Sequence, residues 1–160
     1  MSYSIVISIQ SQTLKLYQNQ QLVKSYLISS ALNGVGSEKD SGKTPLGLHK
    51  VRAKIGADQP INSVFVGRRP TGEIYSADLA LQNPTRDWIL SRILWLSGKE
   101  LGLNRLDSVD TMQRYIYIHG TPDSEPMGEA KSHGCIRMRN KELIELFDLI
   151  PVGTEVSIQK

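Results

Sequence analysis

The sequence contains a single cysteine, Cys135, among its 160 residues, so no internal disulfide can form. A chain of this length can build one sizeable hydrophobic core without covalent cross-links. We therefore expect one domain spanning residues 1–160. The lack of disulfides fits a reducing compartment, and it also fits many exported proteins.

Two features that would indicate export or membrane insertion are also absent. Residues 1–14 contain no Lys or Arg, whereas a signal peptide places positive charge before its apolar run. No apolar run approaches the ~18 residues of a membrane-spanning helix. The sequence as it stands therefore predicts a soluble cytoplasmic protein, or a periplasmic or wall-associated one if a leader has been removed.

Aromatic residues make up only 6% of the chain, and the net charge is a modest +3. Nucleic-acid-binding surfaces combine a basic stripe with aromatic side chains, but the basic residues here are scattered, apart from Arg68 with Arg69 and the segment 131–141. We expect no nucleic-acid partner. A local positive site for an anionic substrate fits this distribution better. The sequence indicates no oligomeric state.

Short segments of alternating apolar and polar residues dominate what is present. They predict a mainly β fold with short helices, arranged as a sandwich or a barrel. Strands are expected at residues 3–9, 13–17, 21–29, 46–54, 88–96, 115–119 and 155–158, with a hairpin turn at Asn19 and Gln20. Polar loops are expected up to Thr44, at 67–72 and at 83–85.

The clearest helix follows the cysteine. Asn140 is a good N-cap, apolar residues recur at helical spacing from Leu143 to Ile150, and Pro151 ends the run. Cys135 is therefore expected on a loop between a strand and this helix. A loop held at both ends is where a reactive side chain is best positioned.

The segment Ser132-His133-Gly134-Cys135 has the features of a nucleophile loop. A free thiol has a pKa of about 8.5 and needs a base to form the reactive thiolate. His119 lies 16 positions upstream, after an alternating segment that predicts a rigid strand end. Gly134 lets the chain turn tightly beside the sulfur, and consecutive N–H groups in such a turn can hold an oxyanion.

Three less specific interpretations compete with cysteine catalysis. Cys135 could be an inert buried thiol, in which case the domain would be a non-catalytic binding module. His119 could be a core histidine with satisfied hydrogen bonds. A zinc hydrolase could use His119, His133 and Cys135 with a water as the fourth ligand, although two ligands only two positions apart would distort the geometry.

The segments Tyr117-Ile118-His119-Gly120-Thr121 and Ser132-His133-Gly134-Cys135-Ile136-Arg137-Met138 together resemble the L,D-transpeptidase catalytic domain, the YkuD-like family. Thr44-Pro45-Leu46-Gly47 also resembles that family's Thr-Pro-x-Gly signal. The resemblance covers residues from about 5 to 158. Arg137 stands where the family often has Asn, and the family often has a longer insert between the two motifs.

The resemblance implies a role for each matching residue. Cys135 is the nucleophile, His119 the base, and the Gly120 carbonyl orients the imidazole ring. The backbone N–H groups of His133, Gly134 and Cys135 form the oxyanion hole. Substrate contacts fall to Ser132 and to Arg137, whose guanidinium can bind a carboxylate through two hydrogen bonds. No metal and no cofactor is implied.

The implied substrate is the stem tetrapeptide of peptidoglycan. Cys135 would attack the carbonyl of its third residue and expel the terminal D-alanine. Because the sequence shows no signal peptide, we expect an L,D-carboxypeptidase of murein recycling, in which water releases a tripeptide. The alternative is an L,D-transpeptidase, in which an amine acceptor gives a 3,3 cross-link or an exchanged D-amino acid.

Overall fold

The computed structural model describes residues 2–160, and most of its regular structure is β-strand. The ten strands are β1 Tyr3–Ser8, β2 Thr13–Gln18, β3 Gln21–Leu27, β4 Gly47–Ile55, β5 Ser63–Val66, β6 Arg69–Ile74, β7 Ile89–Gly98, β8 Tyr117–Thr121, β9 Ile136–Arg139 and β10 Glu155–Gln159. The two α-helices are α1 Ala77–Gln82 and α2 Asn140–Leu149, and a 3-10 turn covers Asp107–Val109. Among the helices described, none combines the length and the hydropathy that crossing a bilayer requires.

The strands form one curled, branched sheet. Its main path runs β3-β2-β1-β10-β4-β7-β5-β6, and β8 joins it through β7 and also pairs with β9. The β1–β10 and β8–β9 pairs are parallel, and the other pairs are antiparallel. The register of β7 against β8 shifts between Leu90 and Ile93. This branching places the two motif-bearing strands, β8 and β9, side by side.

Alternation along the strands sorts the apolar side chains into two clusters. The larger cluster joins the sheet to the inner face of α2, where Leu143, Leu146 and Phe147 are buried. The smaller cluster contains Phe65, Ile93 and Tyr117, with Trp95 and Cys135 packed against it. The cysteine therefore lies beside the smaller cluster and away from the main core.

The predicted mainly β fold is confirmed, as are most of the predicted strands. The hairpin at Asn19 and Gln20 is present, and both residues have the positive φ angles, 51° and 70°, that a tight hairpin turn between twisted strands requires. The segment 155–158 forms most of β10, which lies between β1 and β4.

The expected strand at 115–119 is displaced. Tyr115 has a φ of 56° and belongs to a turn, so β8 begins at Tyr117 and continues to Thr121. His119 consequently lies in the middle of a buried strand, whereas the sequence predicted a strand end. The backbone of His119 pairs with β7 on one side and with β9 on the other, and this fixes where the imidazole starts from the sheet.

The prediction of Asn140 as the N-cap of α2 is wrong. Arg139 occupies that position without a side-chain cap, because the Asn140 amide is buried and bonds the Thr121 carbonyl on β8. A four-residue strand, β9, also separates the cysteine loop from the helix. The loop thus leads first into the sheet and only then into α2.

The sequence did not predict the hairpin of β5 and β6 or the short helix α1. The expected loop at 67–72 shrinks to Gly67 and Arg68, and Pro70 and Gly72 lie within β6. Proline and glycine are tolerated there because β6 is the edge strand of the sheet. The turn of this hairpin reaches the candidate active site.

Candidate active site

The parallel pairing of β8 with β9 brings the two motifs together. Ile118 pairs with Ile136 and His119 pairs with Arg137, so partners in the register share a face of the sheet. Ile118 and Ile136 enter the main core. His119, Arg137 and Cys135 all line a cleft of about 420 Å³. Because side chains alternate along each strand, one face of the β8–β9 pair packs into the core and the other face lines the cleft.

Cys135 is partly buried at the bottom of the cleft. Its sulfur accepts a hydrogen bond from the Tyr117 N–H and its thiol donates to the Tyr115 carbonyl, both at 3.3 Å. Burial raises the pKa of the Cys135 thiol to about 12, against the opposing effects of the Tyr117 N–H, Arg137 and Arg114. The resting nucleophile is therefore a neutral thiol at neutral pH.

The side chain of Ser132 holds the nucleophile loop. Its hydroxyl donates to the Cys135 carbonyl and accepts from the Gly134 N–H at 3.3 Å, so the loop closes on itself. Gly134 has a φ of 130°, a conformation that side chains with a Cβ rarely adopt. The sequence predicts Ser132 as a substrate contact. In the structure its hydroxyl makes hydrogen bonds within the loop, and Ser132 also lines the cleft.

Thr44 fastens the same loop to the rest of the sheet. Its buried hydroxyl accepts from the Ala31 N–H and donates to the Gly134 carbonyl, both at 3.0 Å. This contact gives the Thr-Pro-x-Gly segment a structural role. Thr44 lies 90 positions before Gly134 along the chain, yet it contacts the loop directly. The threonine joins three separate segments behind the nucleophile.

His119 is 1% exposed, and its ring orientation is fixed by the next residue. Nδ1 lies 2.6 Å from the Gly120 carbonyl oxygen. A carbonyl can only accept, so Nδ1 carries the proton and Nε2 is left as the basic atom. Burial lowers the pKa of His119, and the Gly120 carbonyl opposes this shift. The resting imidazole is neutral and able to accept a proton.

Gly120 has no room for a side chain. A Cβ there would come within 2.2 Å of the Asn140 Oδ1 atom and 2.5 Å of the Leu90 carbonyl oxygen. The Asn140 amide donates to the Thr121 carbonyl at 2.8 Å, and its oxygen accepts from the Ser91 hydroxyl at 2.7 Å. This buried network packs directly against the peptide that orients His119.

Asp87 connects two residues of the nucleophile segment. Its carboxylate lies 3.3 Å from Arg137 Nη2 and 3.4 Å from His133 Nδ1. The His133 side chain is mostly exposed, at 74%, whereas that of Arg137 is only 10% exposed. Arg137 Nε is buried and has no hydrogen-bond partner within the part of the chain that the structure describes. The guanidinium thus keeps unused hydrogen-bonding capacity.

Part of the cleft lining is aromatic and cationic. The Arg68 guanidinium lies 4.8 Å from the Trp95 ring centre and 4.7 Å from that of Tyr115, and it donates to the Tyr117 hydroxyl at 3.0 Å. Arg114 donates to the carbonyls of Gly36 and Lys43 at 3.2 Å and 2.6 Å. Arg68 and Arg114 therefore give the cleft a positive rim.

Most of the residues predicted for the site come together. Cys135, His119, Ser132, His133 and Arg137 all line the cleft, and Gly120 contacts His119 from behind. The sequence did not single out Asp87, Arg68, Arg114 or Tyr117 as site residues. Asp87, Arg68 and Arg114 come from the loop before β7, the β5–β6 turn and the segment before β8, none of which carries a local motif. Tyr117 begins β8, inside the motif that contains His119.

The zinc alternative finds no suitable ligand set. Within residues 2–160, no three His, Cys, Asp or Glu side chains converge in a way that could hold a metal ion. His133 Nδ1 faces Asp87, while His119 Nδ1 is engaged by the Gly120 carbonyl. Among the described residues, the two imidazoles and the thiol are thus not arranged as a set of metal ligands.

A lone cysteine and a histidine oriented by a backbone carbonyl lie in one cleft, the pair of side chains that cysteine-dependent acyl transfer uses. Residues 2–158 match the L,D-transpeptidase catalytic domain family, YkuD, and the chain belongs to that family.

Individual relatives agree with this assignment. The chain is 31% identical over 157 residues to the protein named L,D-transpeptidase YkuD of Bacillus licheniformis, covering 98% of this chain and 65% of the relative. It is 28% identical over 158 residues to the protein of the same name from Bacillus subtilis, covering 99% and 66%. The chain therefore spans slightly less than two thirds of either relative.

A solved structure gives the same fold. An L,D-transpeptidase from Mycobacterium smegmatis aligns over 99% of this chain and 59% of its own, with a TM-score of 0.58 and 16% sequence identity. At that identity the likeness concerns the fold alone. It agrees with the curled β architecture described above.

Proposed function

We propose that this protein is an acyltransferase that uses Cys135 to cleave the bond before the terminal D-alanine of a peptidoglycan stem tetrapeptide and passes the acyl group to an amine. The observation that carries the proposal is the pairing of a thiol and a carbonyl-oriented imidazole in one cleft. The names of the two Bacillus relatives favour transpeptidation over hydrolysis.

The resting thiol and imidazole are both neutral, so proton transfer accompanies attack. His119 Nε2 takes the thiol proton as Cys135 Sγ forms a bond to the carbonyl carbon of the third residue. The tetrahedral intermediate collapses, the C–N bond to D-alanine breaks, and His119 returns the proton to the leaving amine. A thioester remains on Cys135.

The oxyanion of that intermediate needs N–H donors near the sulfur. We assign this role to the nucleophile loop, from the backbone N–H groups of His133, Gly134 and Cys135. The Gly134 N–H already has a long hydrogen bond to the Ser132 hydroxyl, at 3.3 Å, and it would have to exchange this partner for the substrate oxygen. Thr44 and Ser132 keep the loop in place during this exchange.

The second half of the reaction repeats the first with a new nucleophile. His119 removes a proton from the acceptor amine, whose nitrogen attacks the thioester and releases the Cys135 thiol. A stem-peptide amine gives a 3,3 cross-link, and a free D-amino acid gives an exchanged tetrapeptide. Arg137, with its unpartnered Nε, supports binding of a substrate carboxylate.

A second candidate is the L,D-carboxypeptidase, in which water takes the place of the amine. The observation that favours it is the partial exposure of Cys135 in a cleft open to solvent, because water can then reach the thioester. Both activities share one acyl-enzyme and differ only in which nucleophile resolves it.

Product analysis tests the proposal. Purified protein is incubated with tetrapeptide, alone and with an excess of glycine or a D-amino acid, and products are identified by mass spectrometry. Dimer or exchanged tetrapeptide as the main product supports transpeptidation. Tripeptide with free D-alanine as the main product under every condition would establish the carboxypeptidase instead.

The Cys135→Ala variant is the control for the same experiment. It should form none of these products while keeping the far-ultraviolet circular dichroism spectrum of the wild type. Product formation by that variant at a tenth of the wild-type rate would overturn covalent catalysis altogether.

A further inference from the structure

A second cavity, of about 400 Å³, lies outside the catalytic cleft. It is bordered by β4, β7 and the loop after β7. We call it the basic groove and define it by its four cationic side chains, Lys50, Arg52, Lys99 and Arg105. It shares no lining residue with the cleft that contains Cys135.

The four cations reach the groove for a structural reason. On β4, Val51 is buried in the core while Lys50 and Arg52 lie on the opposite face. Val51 pairs with Leu96 and Ala53 pairs with Trp95, so Arg52 is the extra residue of a β-bulge. A β-bulge changes the direction in which nearby side chains point. Across the strand pair, Ser97 is the partner of Lys50.

The four cations have no direct partner for their charge within the described residues, although Glu155 on β10 is the cross-strand neighbour of Lys50. They make no ion pair and no side-chain hydrogen bond there. Asp110 also lines the groove, but its two carboxylate oxygens accept the N–H groups of Leu106 and Gln113 at 2.6 Å and 2.9 Å. This carboxylate is therefore used to shape the loop.

A buried polar atom at the same place lacks a partner. The Ser97 hydroxyl oxygen is inaccessible to solvent and has no hydrogen-bond partner in the described chain, although Ser97 lines the groove. Four unpaired cations repel one another, and a bound oxyanion would relieve that repulsion. The same oxyanion would also provide an acceptor close to the Ser97 hydroxyl. Charge and hydrogen bonding thus point to the same kind of ligand.

The groove is also adjacent to the active-site region. Asp110 and Gln113 line both the basic groove and a neighbouring cavity whose other side is formed by Arg114 and Tyr115. Arg114 and Tyr115 in turn line the catalytic cleft. A ligand long enough to extend past residues 110–115 could therefore bind the basic groove at one end and lie near Cys135 at the other.

We propose that the basic groove binds a linear polyanion whose phosphate or carboxylate groups are spaced along a polymer chain. Four cations spread over β4 and the loop after β7 suit several spaced charges better than one small anion. The site is separate from the catalytic residues, so the proposal stands or falls independently of the reaction assigned to Cys135.

The test compares two variants with equal loss of charge. K50Q/R52Q/K99Q/R105Q removes the groove cations, and K15Q/R69Q/K141Q/K160Q removes four unpaired cations elsewhere. Binding of polyphosphate and of poly-L-glutamate to each protein is measured by fluorescence anisotropy over a range of salt concentrations. The two polymers distinguish a phosphate-bearing ligand from a carboxylate-bearing one.

We expect the groove variant to bind at least one polymer ten times more weakly or worse, with a smaller salt dependence, and the control to change less than threefold. Both variants should keep wild-type turnover of a small soluble tetrapeptide. Equal weakening in the two variants, or no binding of either polymer by the wild type, would overturn the proposal.

Discussion

At the scale of single residues, we expect substitutions of the two histidines of the cleft to have very different effects on the reaction rate. His119→Ala removes the proposed base, whose ring is fixed by the Gly120 carbonyl, and loss of a general base typically costs about 10² to 10⁴ in rate. His133→Ala removes an exposed side chain that contacts Asp87, and we expect a loss of less than tenfold. Steady-state kinetics on a tetrapeptide measure both. Equal losses would mean that the base has been assigned to the wrong histidine.

Arg137 offers a second residue-scale prediction. Arg137→Lys keeps the charge but loses the planar fork, so we expect kcat/KM to fall about ten- to a hundredfold, the range of a charge-assisted hydrogen bond. Arg139→Lys, on an exposed side chain two residues further on, is the matched control and should behave as wild type. The deficit of Arg137→Lys should shrink on a substrate whose carboxylates are amidated. An unchanged kcat/KM would assign Arg137 a purely structural role.

The sequence predicted candidate reactive residues but not their surroundings. The residue types around Cys135 and His119 indicate nucleophilic catalysis, and the role of Gly120 is implied by the family resemblance. Asp87 and Arg68 reach the cleft only through tertiary packing of β7 and the β5–β6 turn, which no local pattern encodes. Asn140 was misassigned because a capping residue and a buried amide have the same sequence signature. Its side chain instead packs against Gly120, which has no Cβ to exclude it.

At the scale of elements, the nucleophile loop depends on one hydroxyl from a distant segment. Thr44→Val keeps the shape but leaves the Ala31 N–H unpaired in the interior, which should cost about 1–3 kcal/mol of unfolding free energy. Because the same hydroxyl holds the Gly134 carbonyl, kcat should fall more than KM changes. Urea unfolding and steady-state kinetics measure the two effects.

Thr44→Ser is the control for that loop, since it retains the hydroxyl and loses only a methyl group. It should recover most of the kcat that Thr44→Val loses. If the two variants were equally impaired in kcat, the methyl packing and not the hydrogen bonds would position the loop.

Strand prediction succeeded for β1, β2 and β10, and it failed for β6, which buries no residue, and for the four-residue strands β5 and β9. The segments that became β1, β2 and β10 alternate visibly because their even or odd positions enter the main core. β6 has no buried residue, so its sequence carries no periodic signal, and β9 is only four residues long. Pairing with neighbours across the sheet makes both of them strands.

At the scale of the whole molecule, a buried histidine away from the cleft makes stability depend on pH. His49 is fully buried between the Gly47 carbonyl and the Thr111 hydroxyl, and burial lowers its pKa from 6.5 to about 4. The unfolded chain therefore binds the proton more readily between these two values. The stability present above pH 6.5 is lost as the pH falls towards 4, by up to about 3 kcal/mol.

Urea unfolding at pH 7.5 and pH 4.5 checks this expectation. His49→Gln should be less stable than wild type at pH 7.5, since two hydrogen bonds are altered, but it should lose less stability on acidification. His133→Gln, at an exposed position, should keep the full wild-type decline. An undiminished decline in His49→Gln would assign the acid sensitivity to other groups.

The position of β10 has a consequence for how the chain is made on the ribosome. β10 is the last of the ten strands to be synthesised, yet it lies between β1 and β4 and joins the β1–β3 meander to the half of the sheet that carries the catalytic motifs. Until it emerges, β1 and β4 each present an unpaired edge, the kind of surface on which nascent chains associate with one another. The two halves of the sheet therefore stay unjoined until β10 has been synthesised, and nascent chains that lack it should depend most on chaperones.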